Sequence, residues 1–384
     1  MTDKKKLLFV NDEMEMGGVA RVLNTLIEHL PEDLYDIDLL VLHAHGAMLE
    51  DVPKKVRVIH GSPFFSAVDA SLAALWAEKD WRGIAAKIRL LLYMKTGAIK
   101  KKIERERKAL LDTQYDVEVA AKEGFCTIFT AYGDSKRKIN WVLTDYSVRN
   151  YSSNHMRLVR QALKNIDLNI ADSIQALVAY KTVFRVRNGI ALHNLMNTET
   201  ILQKMQADTP ELHDSTLPKV ITVVRFHPQK SVDRLLLASR YAWDHGCPHD
   251  LYLIGGGEEE EKLRKMKDEL GLDHVYFLGY KDNPYACMHQ CDLFVLSSLY
   301  EGFATVISES LITGTPVLTT RVSGCDEQIT EPDYGWICEN TQQALNDGLT
   351  EALRDPARLK EMKEALKTYT YPNAEILQEF IRVL

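Results

Sequence analysis

Two glutamates eight residues apart, Glu301 and Glu309 in YEGFATVISES (300–310), are the first residues here whose type and spacing suggest chemistry. Glu301 falls on a glycine-containing turn after the apolar run 292–298, and Glu309 falls inside the helix pattern that follows. An amphipathic helix laid on a core needs neither carboxylate. At ~1.5 Å rise per residue, eight residues separate the two by roughly 12 Å along an axis. That is about the scale of a sugar–diphosphate–ribose unit. The amides of Phe303, Ala304 and Thr305 would be the open donors of the helix N-terminus, which attracts phosphate through its N–H groups and its dipole. One carboxylate would then hold sugar hydroxyls and the other ribose hydroxyls, with the diphosphate between them.

A second constellation is VVRFHPQKSVDRLL (223–236). Arg225 ends a strand pattern and Lys230 stands just before a helix pattern. Arg brings a planar fork of donors and Lys a compact charge, a pair suited to a diphosphate. Taken alone, these would be two ordinary surface cations.

The elements that must position these residues repeat a strand–helix rhythm. KKLLFVN (5–11), a glycine turn, GVARVLNTLIEHL and IDLLVL (37–42) read as a βαβ unit. VRVIH (56–60), DVEVAA (116–121), INWVLT (139–144) and DLNIAD (167–172) are further strand candidates. The second half is cleaner, with strand runs KVITVV (219–224), DLYLIG (250–255), HVYFLG (274–279), DLFVLSS (292–298) and TPVLTT (315–320). Near-continuous apolar strands between helices predict parallel sheets covered on both faces. The polar stretch 198–218, with Pro210 and Pro218, reads as a linker. The chain is thus α/β, with two Rossmann-like domains, 1–197 and 219–365, whose parallel sheets face across a cleft. Residues 366–384 form a last helix that packs back on the first domain. In such sheets ligands bind beyond the carboxyl ends of the strands.

Totals narrow the class. The chain has 384 residues and a net charge of −7, so no global electrostatic case exists for nucleic acid. No window holds ~18 uncharged apolar residues, the length a membrane span needs. The apolar run LLFV near the start is too short for a signal peptide, which predicts a cytoplasmic protein. The six cysteines are scattered and read as free thiols. CMHQC (287–291) has no second pair to complete a tetrahedron and reads as one helical turn with buried thiols. The stretch Ala85–Lys108 carries nine Lys/Arg against two Glu, interleaved with apolar residues. Such a segment either covers the first domain's core with a solvated face or lies on an anionic membrane surface.

Together these motifs resemble the family 4 retaining glycosyltransferases, which have the GT-B fold. The family signature of Glu, seven residues, Glu is matched by Glu301 to Glu309, and its Arg…Lys pair by Arg225 and Lys230. Gly255–Gly257, FLGYKDN (277–283), the loop with Gly17, Gly18 and Arg21, NIADS (169–173) and the His193–Asn194 pair follow in the family's order. The resemblance spans almost the whole chain. It implies a metal-independent hexosyltransferase using a nucleotide-diphosphate sugar, UDP-sugar favoured, with no cofactor. The acceptor would be a cell-surface glycan or a lipid-linked precursor in polysaccharide biosynthesis, bound by the first domain.

In that reading Arg225 and Lys230 bind the diphosphate, Glu309 the ribose, and Glu301 the donor sugar near the reacting centre. Phe303, Ala304, Thr305, Gly17, Gly18 and Gly255 line the donor, and Tyr280 and Lys281 lie beside the base. The protein would work in the cytoplasm, peripheral on the inner face of the plasma membrane through residues 85–108. Two positions depart from the family. Leu143 stands where a catalytic-site His is usual, with Asp145 two residues on as its substitute or as a turn cap. Ser231 replaces the Gly after the Lys. The departure at Leu143 motivates the alternative of a non-catalytic GT-B subunit that binds donor or partner.

Overall fold

The structure is a computed structural model and describes residues 4–148, 152–208 and 212–384; Pro210 of the predicted linker lies outside them. The chain divides into two compact units, Met1–Leu195 together with Asn373–Leu384, and Met196–Pro372.

The first unit holds β1 (Lys5–Asn11), β2 (Tyr35–Val41), β3 (Arg57–His60), β4 (Val117–Ala120), β5 (Arg137–Val142), β6 (Leu168–Ala171) and β7 (Gly189–Ala191). They form one sheet in the order β3-β2-β1-β4-β5-β6-β7, parallel throughout. Leu7, Leu8, Phe9 and Val10 of central β1 are all fully buried, as helices on both faces require. The helix Asn373–Val383 belongs to this unit: the Phe380 ring sits 5.4 Å from that of Trp141 in β5.

The second unit holds β8 (Lys219–Val223), β9 (Asp250–Ile254), β10 (Val275–Gly279), β11 (Leu293–Leu296), β12 (Val317–Thr320) and β13 (Gly335–Cys338). Their order is β10-β9-β8-β11-β12-β13, again all parallel. This is a doubly wound sheet, and its strand order reverses between β8 and β11. The first unit reverses likewise between β1 and β4.

Two local expectations need correction. The stretch 198–218 is not linker throughout. Thr198–Lys204 is a helix capped by Asn197, whose Oδ1 accepts from the Thr200 amide at 3.2 Å, and Ile201 is buried within the second unit. The helix after Glu301 begins at Thr305 and ends at Ile312, so only four of the eight steps from Glu301 to Glu309 are helical and the 12 Å figure does not apply. The basic segment is two helices, Trp81–Thr96 and Ile99–Leu110, separated at Gly97 with φ +77. Leu90, Met94, Ile99 and Ile103 face the core, while Ile88, Leu91 and Leu92 are exposed. Arg107 also turns inward, 2.6 Å from the fully buried Glu118, so it is part of the fold and not of a basic surface.

Candidate functional site

The reversal point of the second sheet explains why residues 71 positions apart meet. Lys230 follows β8 and Glu301 follows β11, the two strands that flank the reversal. The Lys230 ammonium donates to Glu301 Oε1 at 2.5 Å. Gln229 Nε2 donates to the Tyr300 carbonyl at 2.8 Å and to Glu301 Oε2 at 3.3 Å. Beneath them the Ser297 hydroxyl reaches the carbonyls of Lys230 and Ser231 at 2.9 and 3.0 Å, and the Leu299 amide donates to the Gln229 carbonyl at 2.8 Å. The turn that carries the cation and the turn that carries the carboxylate are therefore one hydrogen-bonded assembly.

The sequence expectation gave Lys230 to a diphosphate and Glu301 to a sugar and did not foresee that the two would pair. Here they satisfy each other, because each is largely buried and a buried charge without a partner is costly. Arg225 differs: its side chain is exposed and forms no ion pair among the described residues.

Gly255 holds the next loop against Val224 and Phe226. Its φ is +138 and a Cβ there would stand 1.9 Å from the Val224 carbonyl oxygen. The Phe226 amide donates to the Gly256 carbonyl at 2.8 Å, and the Gly255 amide to the Gly279 carbonyl at 2.9 Å. Loops after β8, β9 and β10 are thus laced together, which leaves Tyr280 exposed and Lys281 half-buried just beyond. At the helix Thr305–Ile312 the cap residue is Ala304, whose side chain cannot accept a hydrogen bond. The Ile307 amide is taken by the Ala304 carbonyl at 2.9 Å. Phe303 precedes the cap and is buried, as are Glu301 and Glu309. Ser231, where the family has Gly, adopts the left-handed region at φ +48 as the cap of the helix Val232–Asp244.

In the first unit, Gly17 is extended and caps the helix Gly18–His29; a Cβ at Gly17 or Gly18 would meet nothing within 4 Å. These glycines are not required by packing. Asp145 serves as a turn cap, with Oδ1 accepting from the Ser147 amide at 2.8 Å and its hydroxyl at 2.6 Å. At the end of β5 the Leu143 amide donates to Glu123 Oε2 at 3.0 Å, so a carboxylate lies beside the position where the family has its His. His155 is close by, and burial holds its imidazole below the usual value while Glu123 opposes that shift.

Several positioning residues escaped the sequence reading. Gln229 and Ser297 are two; a Gln between Arg225 and Lys230 was the available signal for the first. In the first unit Lys122, after β4, meets Asp12, after β1, at 2.9 Å across that sheet's own reversal point. Nearby, His43 Nδ1 lies 2.8 Å from Asp69 Oδ1, and His45 lies 2.9 Å from both Asp69 Oδ2 and Glu15 Oε1. Burial lowers the His45 pKa, but the two carboxylates outweigh it and hold the imidazole above its ordinary value. The sequence signal was HAH on the loop after a strand; Asp69 is too distant along the chain to complete it by eye.

Two other groups of polar side chains are structural. Asp38 of β2 accepts from Arg57 and from the Tyr115 hydroxyl. Cys287 and Cys291 are buried free thiols, and the intervening His289 bonds the Thr313 carbonyl through Nδ1 at 2.7 Å.

Two units, each a doubly wound parallel sheet with ligand-type side chains at its reversal point, define the GT-B fold. Solved GT-B structures match the chain along its length. Anabaena HepE in complex with UDP aligns with a TM-score of 0.71 at 18% identity, covering 98% of both chains. Staphylococcus aureus TarM aligns with a TM-score of 0.71 at 13% identity, covering 99% of both. Residues 204–371 match the family model described as glycosyl transferases group 1. An uncharacterized glycosyltransferase of Haemophilus influenzae is 24% identical over 99% of this chain and 100% of its own length. A Campylobacter jejuni N-acetylgalactosaminyltransferase acting on a diphospho-undecaprenol-linked sugar is 31% identical, over 46% of this chain and 47% of its own. No helix among the described residues is long and apolar enough to cross a membrane.

Proposed function

We propose that this chain is a retaining glycosyltransferase that moves a hexose from a nucleotide-diphosphate sugar, UDP-sugar favoured, to a cell-surface glycan or lipid-linked acceptor. The observation that carries the reading is the Lys230–Glu301 pair at the β8/β11 reversal point, with exposed Arg225 on the same turn. An open α/β sheet takes its ligand there. A diphosphate entering this turn meets Arg225 first and then competes with Glu301 for Lys230. Freed of Lys230, Glu301 accepts sugar hydroxyls, and Glu309 on the following helix accepts those of the ribose. The cations and the helix N-terminus stabilise the departing diphosphate, so this step needs no metal. The group 1 match over 204–371 and the transferase names of the relatives support the class.

The first unit would bind the acceptor, while the open backbone at Gly17 and Gly18 leaves room for close approach by the donor. Its basic helices support a peripheral place on the inner face of the membrane. Exposed Trp81, Ile88 and Leu92 lie on one of them, and exposed Trp76 stands on the short helix Leu72–Ala77 before it, suited to a lipid interface. The relatives' names point to lipid-linked and polysaccharide substrates.

The test is release of nucleoside diphosphate from a panel of UDP-, GDP-, ADP- and TDP-sugars by the purified chain, beside Glu301→Ala. Release from one donor, lost in the variant, supports a working transferase. A second reading, a non-catalytic GT-B subunit, rests on Leu143. Tight donor binding without turnover, with and without candidate acceptors, would favour it.

A further inference from the structure

The loops at the carboxyl edge of the first sheet carry a second cluster with no part in the donor site. We propose that His43, His45 and Asp69 form a binding site for one zinc ion. One ring nitrogen from each histidine and an Asp69 carboxylate oxygen all lie within 4.8 Å of one another. Two imidazole nitrogens and a carboxylate oxygen are a zinc donor set, and three protein ligands leave a fourth position for water or an anionic group.

Glu15 completes the arrangement. Its Oε1 lies 2.9 Å from His45 Nδ1, placed to hold that proton when an ion takes the Nε2 lone pair in place of the hydrogen bond to Asp69. A carboxylate behind a ligating imidazole is the usual outer shell of a metal-bound histidine. The two N···O separations across Asp69, 2.8 and 2.9 Å, are those of hydrogen bonds. A tetrahedral ion with bonds near ~2.0–2.1 Å holds its ligands about 3.3 Å apart. A shift of the carboxylate and rings by about half an ångström is enough to admit it, within ordinary side-chain freedom.

Charge argues the same way. Lys122 pairs with Asp12 and Glu13, and Lys87 stands among the same groups, donating to the carbonyls of Ala67 and Val68. Asp12, Glu13, Glu15 and Asp69 bring four negative charges against two from these lysines, leaving two uncompensated. One divalent cation neutralises them while both imidazoles stay unprotonated.

The loops are also set in advance. Gly46, at φ +111, packs so that a Cβ would stand 2.1 Å from the Met14 carbonyl carbon, and a Cβ at Gly61 would stand 2.0 Å from the Leu42 carbonyl oxygen. The Met14 amide donates to the His45 carbonyl and the His43 amide to the Asp12 carbonyl, at 2.9 and 2.8 Å. Ligands from loops after β2 and β3 are thereby held at fixed spacing, which favours binding by lowering its ordering cost.

The experiment uses tag-free full-length protein stripped with a chelator and titrated with zinc chloride in a calorimeter. One zinc per chain is expected, lost in His43→Ala and in Asp69→Asn and retained in His29→Ala outside the cluster. Affinity should fall at least tenfold from pH 7.5 to pH 5.5 as protons compete for the imidazoles. Absence of binding at tenfold excess zinc, or unchanged stoichiometry in both cluster variants, overturns the proposal and leaves a protonated His45 clamped between Glu15 and Asp69. Should the variants fail to fold, cobalt(II) added to the unsubstituted chain decides. Intense visible absorption of a four-coordinate ion supports the site, and the weak spectrum of the hydrated ion refutes it. No sugar nucleotide enters any arm, so the outcome is independent of the proposed transfer reaction.

Discussion

Lys230 Nζ lies 2.5 Å from Glu301 Oε1, joining the ends of two strands that adjoin at the sheet's reversal point. Each residue therefore limits the other's availability to a ligand. Replacing Glu301 with Gln removes the competing charge and keeps the shape. UDP should then bind about threefold or more tighter, since a partly exposed ion pair is worth up to ~1 kcal/mol. Turnover should fall by about 100-fold, the scale of losing one charge-stabilising group. Lys230→Ala should instead weaken UDP by about 10- to 100-fold, as expected for a hydrogen bond to a charged group. Calorimetry with UDP separates the two variants; weaker binding in both would mean Glu301 itself holds the nucleotide.

The glycines divide into two kinds. Gly255→Ala and Gly257→Ala force a Cβ to 1.9 and 2.4 Å from backbone oxygens at φ +138 and +151. Each should cost about 3 kcal/mol or more, from strain added to overpacking. Gly17→Ala and Gly18→Ala meet open space, so stability should stay within about 0.5 kcal/mol. Thermal denaturation measures both. If Gly17→Ala then loses activity at full stability, the loop's role is contact with ligand.

A pH dependence follows from the buried histidines of the second unit. Ser239 Oγ lies 2.9 Å from His249 Nε2 and 3.0 Å from His274 Nε2, and Trp243 stacks on His274 at 4.0 Å. Burial, with His249 beside it, depresses His274 from 6.5 to about 4. The unfolded chain therefore takes up a proton below 6.5 that the folded unit refuses until about 4. Stability is full above pH 6.5 and declines as pH falls toward 4. The unfolding midpoint of His274→Phe should decline less across that window than that of the parent.

Arg107 and Glu118 form a buried pair in the first unit, their side chains 7% and 0% exposed. Removing one partner strands the other's charge, at a cost of about 3–5 kcal/mol. Glu118→Ala should thus unfold at clearly lower denaturant than Lys108→Ala, on the same basic stretch but exposed. Binding to anionic vesicles, if it follows the exposed face, should weaken in Lys108→Ala and not depend on Arg107.

The parallel sheets were legible because their strands are apolar on both faces: KVITVV and DLYLIG admit little else. Short or weakly apolar edges were not, so β7 (GIA) and β13 (GWIC) went unread. The helix Thr198–Lys204 buries little beyond Ile201, too few residues for periodicity, although its Asn197 cap was available as a signal. At the site, residue types were readable and pairings were not. Arg225, Lys230 and Glu301 stand out by position after strands, yet the meeting of Lys230 with Glu301 depends on strand order, which a linear sequence does not state. Asp145 shows the reverse: a suggestive position whose carboxylate is engaged with Ser147 two residues away.

The return of Asn373–Leu384 to the first unit bears on how the chain is made. Trp141 meets Phe380, and Lys5 in the first strand bonds the carbonyl of Leu384, 379 residues away. During synthesis the second unit has all its residues before the first has its last helix, reversing the usual order in which N-terminal domains finish first. Until that helix arrives, one face of Trp141 waits uncovered. Contacts of such long sequence separation form late and slowly, which leaves the first unit the more exposed to chaperones and proteases while the chain is growing.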